Sequence, residues 1–149
     1  KREIRLGNTV VQLLHFGHAH TPGDMVVWLP QQKIIYTGDI VYTERMLGVL
    51  TISHSGSWVR VFDKLAQLDP KTIIPGHGHP TNLERARKDT RDYLFYLREE
   101  VGKSLDRGDT LQDAVDRIDQ SGFKHLANFD QLARRNANQV YLEMEKESF

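Results

Sequence analysis

Three short stretches of the chain join turn-forming residues to side chains able to hold a metal ion. They are His18-Ala19-His20-Thr21-Pro22-Gly23-Asp24, Thr37-Gly38-Asp39 and Pro75-Gly76-His77-Gly78-His79-Pro80. Glycine permits positive φ and close backbone approach, and proline stiffens a turn, so each imidazole or carboxylate sits on a rigid corner. Rigid corners suit ligands. None of the 149 residues is cysteine, so a zinc or iron site here must use imidazole nitrogens and carboxylate oxygens. A carboxylate can also bridge two cations that would otherwise repel each other. Any one of these histidines alone would more often be an ordinary surface or core residue; three punctuated corners in this order point to a metal site.

The elements that must position these corners follow from the hydrophobic pattern. Glu3 to Leu6 and Thr9 to Phe16 read as a hairpin turned at Gly7-Asn8, and Met25 to Leu29 with Lys33 to Tyr36 as a second strand pair around Pro30-Gln31-Gln32. Ile73-Ile74 is a short apolar run of the kind that forms a buried strand. A helix capped within Ser55 to Ser57 puts Trp58, Val61, Phe62, Leu65 and Leu68 on one face before Asp69-Pro70 stops it. A second starts at a Thr81/Glu84 capping box and runs along Leu83, Ala86, Leu94, Leu97, Val101 and Leu105 to Gly108. Thr110 to Asp113 opens a shorter helix with Leu111, Val115 and Ile118 inward, and Asn128 to about Lys146 forms the last, along Ala133, Ala137, Val140, Tyr141 and Met144. The pattern predicts α/β: residues 1–80 rich in strands and carrying the candidate ligands, residues 81–149 helical, the whole a single domain or the C-terminal half of one.

Composition narrows the function classes. Twenty Lys plus Arg balance twenty Asp plus Glu, so no global field draws in nucleic acid or anionic lipid, and neither partner is expected. The apolar runs fall far short of a membrane span, and a soluble chain is expected. Absence of cysteine suits cytosol and periplasm equally.

Taken in order, His20-Thr-Pro-Gly-Asp24, Val26-Val-Trp-Leu-Pro30, Tyr36-Thr-Gly-Asp39 and Ile74-Pro-Gly-His-Gly78 resemble the C-terminal half of the metallo-β-lactamase-fold hydrolases, over roughly residues 9 to 80. The resemblance implies an αββα sandwich with one or two metal ions at the sheet edge, usually zinc, with iron or manganese as alternatives. It implies a reaction in which metal-bound hydroxide attacks an ester, thioester, lactam, lactone or phosphodiester of a small-molecule substrate. His20 would then be the third histidine of the first metal, Asp39 the bridging carboxylate and His77 a histidine of the second metal. Asp39 stands where the best-known zinc β-lactamases carry cysteine or serine, which directs the resemblance to the broader hydrolase branch.

Around these three, Asp24, Thr21 and Thr37 are expected to orient the ligand rings or to cap turns. His18 and His79, each two residues from a ligand, are expected to line the pocket or to lie on the surface. His54, Tyr42, Arg45 and Trp58 follow Asp39 in the region that shapes the cleft in this fold, with surface or capping roles as the alternative.

The family's first signature, His-x-His-x-Asp-His, is absent among the seven histidines. The simplest account is that the N-terminal half of the fold lies outside this chain. Each ion would then keep at most one imidazole and a share of Asp39, where zinc normally takes three or four protein ligands. The expectation is a chain that binds metal weakly or not at all and is inactive alone, its ligands left unpaired. The alternative is a non-catalytic fragment or module that associates through an exposed sheet edge, as a homo-oligomer or a strand-exchanged dimer.

Overall fold

Gly7, at φ +58°, turns the chain between β1 (Arg2–Leu6) and β2 (Thr9–Leu14), as the Gly-Asn pair predicts. A computed structural model describes residues 1–148. β2 pairs with β3 (Val26–Leu29) and β3 with β4 (Ile34–Tyr42), all antiparallel, while β4 pairs in parallel with β5 (Thr72–His77), giving one mixed sheet in the order β1-β2-β3-β4-β5. A parallel pair needs a crossover, here supplied by α1 (Ser55–Ala66) and its flanking loops. The fold class is α/β.

β4 runs six residues beyond the expected end at Tyr36, so Asp39 lies within a strand and not on a loop. Its pairing with β5 shifts register between Tyr36 and Gly38 and again between Gly38 and Tyr42, with Gly38 at φ +52°. These irregularities let the strand continue past the glycine that looked like its end.

Cross-strand alignment sorts the side chains into two faces, since successive residues of a strand point to opposite sides. The aligned Trp28, Ile35 and Ile73 are buried. The next row, Leu13, Val27, Tyr36 and Ile74, is only half-buried or exposed, Tyr36 at 46%. Helices cover the first face: α1 buries Trp58, Val61, Phe62 and Leu65, and the Trp58 indole N–H donates to the Ile40 carbonyl at 2.8 Å. The second face, continued by Ile4 and Leu6 on β1, is apolar and, among the described residues, has no helix upon it.

The long helix expected from Thr81 is built in three parts. Both peptide groups of Thr81 bond Ile73, so Thr81 is held in a bridge to β5 and the cap passes to Asn82, whose side chain accepts from the Arg85 N–H. α2 (Leu83–Ala86) leads into a π-helical turn, Arg87–Arg91, and then α3 (Asp92–Asp106). α4 (Leu111–Arg117) has the expected Thr110/Asp113 capping box, and α5 (Phe129–Glu147) packs Ala133, Ala137, Val140 and Tyr141 inward. No helix among the described residues is long and apolar enough to cross a membrane.

Neighbouring residues on opposite faces test this arrangement. Ile35→Ala is expected to cost about 2–5 kcal/mol in denaturant unfolding, and Tyr36→Ala, on the uncovered face, less than about 1 kcal/mol. Equal losses would contradict the two-face assignment.

Candidate functional site

The ends of β4 and β5 bring Asp39 and His77 side by side, and the loop from β2 to β3 brings His20 to the same place. Asp39 Oδ2 lies 3.6 Å from His20 Nε2, and Asp39 Oδ1 lies 3.5 Å from His77 Nε2. One carboxylate thus turns each of its oxygens to a different imidazole. The rings, expected to be left unpaired, face Asp39 at these distances; among the described residues His20 Nδ1, Thr43 Oγ1 and Arg45 Nε are buried without a hydrogen-bond partner.

Two glycines allow the strands to approach this closely. A Cβ on Gly76 would collide with Asp39 Oδ1 and the Gly38 carbonyl, and one on Gly78, at φ +99°, with Thr43. The glycines flanking His77 are there because nothing larger fits.

Aromatic rings wall the site. Tyr42 stacks on His77 with ring centroids 4.7 Å apart and planes inclined by 23°, and Trp58 meets His20 edge-on at 5.4 Å. Burial, followed by the charge of Asp39, holds the Tyr42 phenol well above its usual pKa range, so it remains an O–H donor. Arg45 places a guanidinium nitrogen 3.0 Å from His77 Nδ1. A guanidinium has donors only, so Nδ1 accepts and the ring proton belongs on Nε2, facing Asp39.

The loop from Thr43 to His54 is fixed by partners far away in sequence. The Glu44 N–H donates to Asp89 at 3.0 Å, the Met46 N–H to the Ala127 carbonyl at 2.9 Å and the Val49 N–H to Asn136 Oδ1 at 2.9 Å. The Ser53 hydroxyl donates to the His20 carbonyl at 2.7 Å, and the His54 N–H to the Ala19 carbonyl at 3.0 Å. The His20 loop and the loop after Asp39 are therefore tied into one unit.

The other expected residues have separate partners. Asp24 accepts from the Thr21 N–H and hydroxyl, at 2.8 and 2.6 Å, and caps its own turn. The Thr37 hydroxyl bonds backbone carbonyls. His18 bonds the Ile52 carbonyl, and exposed His79 pairs with Glu44 at 2.8 Å. His54 caps α1, accepting from the Ser57 N–H in the place expected of Ser55 to Ser57. It also lies 3.0 Å from Glu143. His54, Glu143 and Glu147 offer ligand atoms within 4.8 Å of one another, but Arg98 already pairs with both carboxylates, at 3.3 and 2.8 Å. Sequence reasoning missed Asp89 and Thr90, which are fully buried on the π-helical turn. The signal was there: Thr90 is a polar residue on the apolar stripe that runs from Ala86 to Leu94.

The Arg45 contact generates a prediction. Arg45→Met should release His77 from a single neutral tautomer, read from the ¹⁵N shifts of its ring under mildly alkaline conditions. An unchanged tautomer would show that Arg45 does not set it.

Comparisons with known proteins bear on the family and the fold. The family described as the metallo-beta-lactamase superfamily matches residues 2–77, half of the chain. The metallo-beta-lactamase type 2 of Bacillus sp. (strain 170) is 29% identical over 79 residues, which cover 50% of this chain and 31% of that protein. The corresponding protein of Bacteroides fragilis is 27% identical over 79 residues, covering 50% and 32%. The chain thus spans about a third of the length of the curated relatives it matches. Among solved structures, a metallo-beta-lactamase from Pontibacter korlensis superposes with a TM-score of 0.58 at 26% identity, covering 63% of this chain and 45% of that one. The sec-alkylsulfatase Pisa1 from Pseudomonas sp. superposes with a TM-score of 0.71 at 18% identity, covering 94% of this chain and 25% of that one, a likeness of fold alone. By its matched residues and its architecture, the chain belongs to the metallo-beta-lactamase superfamily.

Proposed function

We propose that this chain carries part of the metal site of a hydrolase, with Asp39 as a carboxylate shared between ions held by His20 and His77. One observation carries the reading: Asp39 presents one oxygen to each imidazole, at 3.6 and 3.5 Å. Two ligand atoms about 2.1 Å from a tetrahedral zinc ion lie about 3.4 Å apart, so the spacing fits a cation seated on either side of the carboxylate.

The donor set is nitrogen and oxygen only, which suits zinc and also admits iron or manganese. Metal bound there would supply an acidified water and polarise the scissile bond of a small ester, thioester, lactam, lactone or phosphodiester. The chain's own residues prepare the place. Tyr42 and Trp58 keep the imidazoles upright, and the glycines hold Asp39 against β5. Arg45 must turn aside when His77 offers Nε2 to a cation, because the ring proton then moves to Nδ1.

The remaining ligands come from sequence that the longer relatives have beyond the matched segment, packed on the open apolar face of Leu13, Val27, Tyr36 and Ile74. Alone, the chain binds metal weakly or not at all and does not turn over substrate. His18, Asp24, His54 and His79 act at the periphery of this site, through the turns and loops they hold. A second reading, association of the chain with itself, is favoured by β1, a strand with every residue exposed, beside that same face. Analytical ultracentrifugation separates the two: a concentration-dependent dimer supports self-association, and a monomer throughout removes it.

Zinc titration by calorimetry tests the metal reading. Asp39→Ala is expected to weaken zinc binding by at least about tenfold, no less than the loss of an outer partner of a metal ligand. Equal affinity in the variant and the parent chain would overturn the shared-carboxylate assignment.

A further inference from the structure

The π-helical turn Arg87–Arg91 buries two polar side chains next to each other, Asp89 and Thr90, both with no exposed surface. On a regular α-helix, consecutive residues point about 100° apart; a π-turn widens the backbone and is often found at functional sites. Both side chains here reach the strand end that follows Asp39. The Thr90 hydroxyl donates to the Tyr42 carbonyl at 2.6 Å and accepts from the Tyr42 N–H at 3.0 Å, so it bonds both peptide groups of one residue. Asp89 accepts from the Glu44 N–H at 3.0 Å, from Arg85 Nε at 2.6 Å and from His125 Nε2 at 3.3 Å. Burial works to raise the Asp89 pKa, but the hydrogen bonds from Arg85, Glu44 and His125 outweigh it and hold the carboxyl below its usual range. A charged carboxylate is therefore kept in place under the loop.

Tyr42 is the residue these bonds fix, and it is where the site's parts meet. Its ring stacks on His77 and lies 6.0 Å from that of His20. The next residue, Thr43, donates its N–H to the His77 carbonyl at 3.0 Å. β5 holds only one edge of β4 here, with Tyr42 aligned to His77 after a register shift from Gly38, and on the other edge β3 pairs with β4 only as far as Tyr36. Thr90 supplies the bonds that regular pairing would have given.

We propose that Thr90 is a positioning residue of the site, which fixes Tyr42 through both of its peptide groups and thereby sets His77 against Asp39. The inference deepens the metal reading above and rests on it for its purpose, while the placement of His77 by Thr90 is measured without metal.

The experiment compares this chain with its Thr90→Val, Thr90→Cys and Thr90→Ser variants, and with Val140→Ala, a buried change on α5. Two readouts are used besides the melting temperature. One is the ring-current shift that the Tyr42 ring imposes on the His77 ring protons in the metal-free chain; the other is the affinity for zinc alone. Thr90→Val is expected to abolish most of the ring-current shift and to weaken zinc binding about tenfold or more, the usual loss when a residue orienting a metal ligand is removed. Thr90→Cys, close in size with a poorer donor, gives a partial effect and serves if the valine variant does not fold. Thr90→Ser restores both readouts to within about twofold of the parent. Val140→Ala lowers the melting temperature and moves neither. Unchanged His77 resonances in the valine or cysteine variant would overturn the proposal, as would equal displacement by Val140→Ala. If the parent chain binds no zinc, as its partial ligand set allows, the His77 resonances alone decide the role of Thr90, and the metal reading is decided separately by the Asp39→Ala comparison in the longer protein.

Discussion

A single carboxylate facing two imidazoles is the constraint on which the rest of the structure depends. Asp39 can meet both His20 and His77 only if the ends of β4 and β5 run side by side in the same direction, and only if the loop between β2 and β3 folds over them. Parallel pairing through the α1 crossover satisfies the first condition. Gly76 and Gly78 make the strand ends approach more closely than any side chain would allow. The second condition is met by hydrogen bonds from Ser53 and His54 to the backbone at His20 and Ala19. Convergence is thus built from backbone geometry, with His20, Asp39 and His77 carried to their places by strands and tied loops.

The energetic support for this arrangement comes from one side. Trp28, Ile35 and Ile73 pack beneath the helices, and the buried apolar side chains of α1, α3 and α5 continue that core. Apolar burial is the main favourable contribution to folding, and here it anchors the sheet from the helical face. Buried polar groups on the same side are hydrogen-bonded to specific loop atoms: Asn136 to Leu47 and Val49, Asp89 to Glu44, Thr90 to Tyr42. Removing one member of such a pair leaves a buried group unsatisfied, at a cost of about 1–3 kcal/mol. These bonds specify where the loop after Asp39 lies more than how stable the core is. The opposite face of the sheet is apolar and, among the described residues, uncovered.

The parts of this picture legible in the sequence are those with a local physical signal. The hairpin at Gly7-Asn8, the stripes of α1 and α5, and the Thr110/Asp113 capping box each follow from residues close together in the chain. The three metal-competent corners were legible because glycine and proline mark where a chain turns, and the order of the motifs gave the superfamily. Long-range pairing was not. Thr81 looked like a cap because its bridge to Ile73 cannot be seen from its neighbours, and β4 seemed to end at Tyr36 because its later pairing comes from a strand more than thirty residues on. His79 and His54 followed the same residue logic as the ligands, yet the fold gives them Glu44 and the start of α1 as partners. The π-helical turn Arg87–Arg91 was not legible, because the sequence reading followed a regular α-helical stripe from Ala86 to Leu94 and passed over Asp89 and Thr90.

The central claim is that His20, Asp39 and His77 share one cation-holding place. Paramagnetic NMR of this chain titrated with cobalt(II) addresses it most directly, since relaxation broadening falls off steeply with distance from the bound ion. The account predicts that resonances of His20, Asp39 and His77 broaden first and together, while those of His54, His79 and His125 persist. Broadening that begins at His54 with Glu143 and Glu147, or at exposed His79, and spares the three, would contradict it.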